Sequence, residues 1–104
     1  MWRQGDVLFR RVKELPANVV RQPSPVLAEG ELTGHAHRVA DLKTAEVYVG
    51  LDGVMYLQVS APEATIIHQE HGPITLCQGS YRVWKQREYA PEDRNGLGYR
   101  HLLD

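Results

Sequence analysis

Cysteine is nearly absent. Cys77 is the single one in 104 residues, which excludes an intramolecular disulfide and every cysteine-rich zinc module. No run of 18 apolar residues occurs, so nothing reads as a helical membrane span. An excess of charge of one sign is missing too: Lys+Arg number 12 against Asp+Glu 13, net −1 with neutral histidines. Neither half is basic enough to mark a nucleic-acid or anionic-membrane surface. The opening Met1-Trp2-Arg3-Gln4-Gly5-Asp6 lacks the apolar stretch of a secretory signal, and no Asn-x-Ser/Thr sequon is present. A cytoplasmic protein without membrane attachment is expected. What the chain does have is 42% apolar and 24% charged residues, enough for one core and too much for a wholly disordered chain. A single domain over residues 1–104 is expected.

Apolar residues alternate with polar ones, and Gly or Pro interrupts them often. Asp6–Val12 reads as a first strand with Val7 and Phe9 on one face. Leu15–Leu27 contains Pro16, Pro23 and Pro25, which remove backbone donors and predict a loop packed over the core. Glu31–Val39 reads as a strand whose pleat sets His35, His37 and Val39 on one face. Glu46–Leu51, Asp52-Gly53 and Val54–Val59 form the strongest hairpin signal. A type I′ turn at Asp-Gly would pair Leu51 with Val54 and Val49 with Tyr56. Ala64–His68, Ile74–Leu76 and Ser80–Tyr89 complete the strands; Pro91-Glu92-Asp93 suits a helical turn, and Leu102-Leu103 suits an edge. No amphipathic helix is evident. The pattern predicts an all-β barrel or sandwich of about seven strands.

Histidine carries the chemical signal. Four of the five fall in two groups, His35-Ala36-His37 and His68-Gln69-Glu70-His71, while His101 stands apart. In a strand, side chains at i and i+2 stand about 7 Å apart on one face, near enough to converge on one ion. If the two segments are neighbours, His35, His37, His71 and either His68 or Glu70 supply mixed nitrogen and oxygen donors. Such a set suits Zn, Fe, Mn, Ni or Cu and leaves positions open for water or a small-molecule ligand. The alternative is ordinary: edge-strand histidines hydrogen-bonded to neighbouring backbone. Glu70 and Asp41 are the candidate proton acceptors, and Arg38 and Arg82 the candidates for holding an anionic substrate.

Gly30-x4-His35-x-His37-x3-Asp41 resembles the first motif of the cupins, with Asp41 where those proteins carry glutamate. Gln78-Gly79-Ser80-Tyr81-Arg82-Val83 is similar to the glycine-led strand of their second motif, without its ligand. The resemblance implies a small β-barrel holding a metal through paired histidines, a carboxylate and a later histidine. Thr33–Arg38, Glu70–Ile74 and Tyr81–Tyr89 also resemble small uncharacterised bacterial proteins, which implies bacterial origin and a shared fold without a known activity.

Other readings compete. Cys77 lies in an apolar stretch and is expected to be a small buried hydrophobe. Gly96–His101 begins like a dinucleotide loop but follows no strand and precedes no helix. Lys85, Arg87 and Trp84 could track a phosphate backbone and stack bases, although Glu88, Glu92, Asp93 and the near-neutral total argue against nucleic acid. A non-catalytic assembly module is the other rival. A homodimer is expected, with aromatic surface from Trp2, Tyr48 and Tyr56 covering strand edges.

Overall fold

The computed structural model describes residues 1–30 and 33–86. Over them the chain forms eight strands and no α-helix: β1 Trp2–Gln4, β2 Val7–Val12, β3 Val19–Gln22, β4 Val26–Glu29, β5 Ala36–Val39, β6 Ala45–Gly50, β7 Met55–Ile67 and β8 Ile74–Lys85. All pairings are antiparallel. The order is β1-β2-β8-β7-β5-β4, and β3 joins through β6 to β7. The result is one open, curled sheet.

Two strands are longer than the breakers in them suggest. The two expected strands Val54–Val59 and Ala64–His68 merge, without Val54 and His68 themselves, into one strand, β7, which passes through a register shift between Val59 and Glu63. Pro62 falls inside that irregularity, where its missing N–H costs no ladder bond. Ser60 and Ala61 instead donate backbone N–H to Thr44 O. The bulge changes partners: β6 pairs with Met55–Val59, and β5 with Ile66 and Ile67. Likewise Ile74–Leu76 and the start of the expected last strand are one strand, β8, running through Gly79. That glycine has φ +148°, and the Arg11 guanidinium sits 2.7 Å from where a Cβ would stand. Arg11 uses the space to donate to Gln78 O at 2.7 Å.

The hairpin turn differs from the type I′ expectation. Val49 pairs with Met55 and Tyr48 with Tyr56, one residue away from the expected register. Among the described residues only glycines have positive φ, Gly53 at +84° being the one in this turn. Leu51-Asp52-Gly53 is thus a three-residue loop ending in a left-handed glycine. Asp52 Oδ1 accepts the Val54 N–H at 3.0 Å. The apolar pattern decides the register: Ala45 opposes Val59 and Val47 opposes Leu57, and all four are fully buried. A slip by one would set Tyr48 against Leu57 and mix the two faces.

Leu15–Leu27 is not a loop throughout, because it holds β3 and the start of β4. Its prolines stand between strands, and each strand lies at an edge with one partner. Glu31–Val39 narrows to β5, with residues 31 and 32 outside the described residues. The short β1 was not foreseen. Cys77 is exposed, contrary to expectation: Leu76 takes the inward position of β8, so its neighbour must point out. Arg87–Tyr89, Pro91–Asp93, Gly96–His101 and Leu102-Leu103 lie outside the described residues.

Phe9, Leu57, Ile66, Leu76 and Tyr81 are the large, fully buried members of the core. The Tyr81 hydroxyl donates to Cys77 O at 2.6 Å, and Trp2 meets its ring edge-on at 5.4 Å. Burial pushes the Tyr81 phenol pKa up, against the lowering effect of nearby Arg11. The curl brings distant strands into side-chain contact. Gln4 of β1 donates to Ile66 O and Gly72 O, both at 2.9 Å, and the Lys85 ammonium donates to Glu29 O.

Candidate functional site

All four grouped histidines meet at that seam. His37 points inward from β5, His35 precedes the strand, and His68 and His71 lie in the turn between β7 and β8. Ring centroids are 4.2 Å apart for His37 and His68, 4.6 Å for His68 and His71, and 5.8 Å for His35 and His68. His37 and His71 stack at 5.8 Å with planes 14° apart. Gln69 Oε1 accepts the Ala36 N–H at 2.9 Å and so ties the turn to the start of β5.

Hydrogen bonds assign the tautomers. Both donations from Gln4 use Nε2, so its Oε1 is the acceptor facing His37 Nδ1 at 2.9 Å. Nδ1 must therefore carry a proton. Nε2 of His37 then faces Asp6 Oδ1 at 3.6 Å, and the two side chains are only 2% and 8% exposed. His68 is the reverse case. Its Nδ1 accepts backbone N–H from Glu70 at 3.0 Å and His71 at 3.3 Å, which puts the proton of a neutral ring on Nε2. His35 Nδ1 lies 3.3 Å from Glu70 Oε1, yet it is buried without a geometrically sound hydrogen bond among the described residues. Glu70 itself is 57% exposed.

The remaining candidates go elsewhere. Asp41 Oδ1 accepts the Lys43 N–H at 2.9 Å, and its carbonyl accepts from Thr44, so this residue shapes the exposed turn between β5 and β6. Arg38 is exposed on β5, one position from His37 and on the opposite face. Arg82, on β8, is half-buried with its guanidinium 5.4 Å from the centre of the Trp84 ring. Trp84 is 6% exposed, which leaves little of that ring for stacking a base. Sequence reasoning missed Gln4 and Asp6; a glutamine and an aspartate flanking a glycine near the start look like surface residues. Among the described residues, no three His, Cys, Asp or Glu side chains already stand as a metal shell. The His68 lone pair held by backbone N–H groups is one physical reason.

Fold and site together define a small all-β protein with a half-buried histidine seam around the buried His37. Residues 3–86 match the model of the family described as Domain of unknown function (DUF8820). The chain belongs to that family. No curated protein and no solved structure matches it.

Proposed function

We propose that the histidine seam binds a divalent transition metal, with His37 Nε2 and Asp6 at its centre. The observation supporting this is the Gln4–His37–Asp6 arrangement. A ligating imidazole ordinarily donates its other N–H to an outer acceptor, and Gln4 Oε1 is such an acceptor for His37. Two donors on one tetrahedral ion stand about 3.4 Å apart when each bond is about 2.1 Å. The 3.6 Å between His37 Nε2 and Asp6 Oδ1 is near that value and long for a hydrogen bond. His71, stacked on His37, and the His35–Glu70 pair are the donors that side-chain rotation brings in. His68 acts outside the shell by fixing the turn that carries His71. Mixed imidazole and carboxylate donors suit Zn, Fe, Mn, Ni or Cu.

A bound ion supplies Lewis acidity or an activated water, and exposed Glu70 is the carboxylate placed to exchange a proton with solvent. A cupin-like role for the domain rests on this metal. Equilibrium dialysis against each metal at neutral pH, followed by elemental analysis, tests the reading. The expected result is one ion per chain, lost in Asp6→Asn and His37→Ala and kept, more weakly, in His68→Asn. Native protein that takes up none of the five metals overturns it.

A second reading is assembly through an edge. β3 has one partner, and its Val20 is 60% exposed, a combination that invites pairing with a second copy. Light scattering should then give twice the chain mass in the micromolar range, and Val20→Lys should return the monomer.

A further inference from the structure

A second cavity has no histidine among the described residues that line it. Its volume is about 300 Å³, and it opens between β4, the Leu51–Gly53 loop and the end of β8, at the lower limit of small-molecule sites. Leu27, Met55, Val83 and Trp84 give it apolar walls, and Arg82 and Lys85 line it as cations. We propose that this cavity binds a small organic carboxylate with an apolar body. The proposal goes beyond the metal reading and does not depend on it.

Arg82 carries the argument. Its Nε is buried and lacks a hydrogen-bond partner among the described residues, a state that costs free energy until an acceptor arrives. The Trp84 ring, 5.4 Å from its guanidinium carbon, restrains the group by cation–π attraction. A guanidinium edge matches the two oxygens of a carboxylate. The ammonium of Lys85, held at Glu29 O, adds a second positive charge where β4 meets β8. Asp52 also lines the cavity; its Oδ1 already accepts the Val54 N–H, and its charge disfavours dianions such as phosphate. Size, apolar walls and this balance of charge select a monoanion. Arg38, paired with Arg82 in the sequence reading as an anion holder, is not among the lining residues; Lys85 takes that part.

Benzoate is the probe, with benzyl alcohol as its neutral counterpart and inorganic phosphate as the apolar-free anion. Titrations followed by calorimetry and by tryptophan fluorescence in a Trp2→Phe background should show saturable benzoate binding into the millimolar range. Benzyl alcohol and phosphate should each bind at least about tenfold more weakly. Arg82→Gln should weaken benzoate about tenfold or more, Arg82→Lys should fall between, and Arg38→Gln should change nothing. If Arg82→Gln does not fold, Arg82→Lys and, by calorimetry alone, Trp84→Phe decide: each should weaken benzoate, and unchanged binding in both overturns the proposal. The titration is repeated with a chelator, because benzoate on a metal at the histidine seam would vanish there whereas the cavity site persists. Absent saturation, equal binding of benzyl alcohol, indifference to Arg82 substitutions, or loss with the chelator each overturns the proposal.

Discussion

The histidine seam gathers around the turn that follows β7 and the Arg82 cavity around the loop that precedes it, and they treat polar groups differently. At the seam most of the groups satisfy one another, His35 Nδ1 being the exception: Gln4 uses three bonds to fix one ring and two carbonyls, and backbone N–H groups fix another ring. At the cavity, Arg82 Nε is left without an acceptor. The difference separates the two proposed sites by how each would be built. One is preorganised from within, so its residues are expected to matter for stability as well as for binding. The other keeps an unmet bond, so its residues are expected to matter for binding far more than for stability.

The largest expected effect tests the first half of that contrast. Gln4→Ala strands the His37 Nδ1–H and the Ile66 and Gly72 carbonyls, so the domain should lose about 3 kcal/mol in urea unfolding. Arg82→Gln, by contrast, should stay within about 0.5 kcal/mol of the native chain. A reversed ranking would break the comparison. Next comes Gly79→Ala, which forces a Cβ into the Arg11 guanidinium at a φ unsuited to side chains and should cost about 1–3 kcal/mol. Gly53→Val, at the left-handed end of the hairpin loop, should cost about 1–2 kcal/mol, seen as a lower melting temperature. Its Cβ meets no atom within 4 Å, so the loss isolates backbone strain from crowding.

The smallest effect is a pH dependence. Burial raises the Tyr81 pKa above 10.0, so the folded state holds its proton more tightly than the unfolded state does. The resulting stability is fully present below the unfolded value. It is lost as pH rises through the raised, folded one. Absorbance titration of the phenolates should show Tyr81 among the last to ionise, and Tyr81→Phe should remove that late component. An early, complete titration of every tyrosine would mean that the core around β8 is more open than described.

Several features were legible in the sequence because their cause is local. Alternation located Val7 and Phe9 in the core; of the grouped histidines only His37 stands on a strand, while His35 precedes β5 and His68 joins His71 in the turn after β7. Continuity of β7 and β8 was not legible: Pro62 and Gly79 are breakers by local rules, and only the ladder on either side carries the strand across. The hairpin register was readable in principle, since Val47 and Leu57 had to share a face, but the Asp-Gly pair alone fits more than one loop length. Gln4 and Asp6 were beyond reach. Their partners lie 31 or more residues away, and nothing in a short polar side chain announces that it will be buried. Arg38 and Arg82, a pair by chemistry, were separated by a topology that spacing along the chain does not encode.

The hydrogen bond from Gln4 to Gly72 closes a separation of 68 residues, which has a consequence in time. Loop-closure entropy must be overcome before such a contact stabilises anything, and long-range pairings slow folding. During synthesis β1 emerges well before the carbonyls it holds, and β2 waits for β8. The histidine seam is therefore assembled late, when the N-terminal strand docks on a nearly finished sheet. Until that moment its imidazoles are ordinary solvated side chains. The His37 ring protons, followed by NMR during refolding, should report completion of the fold itself.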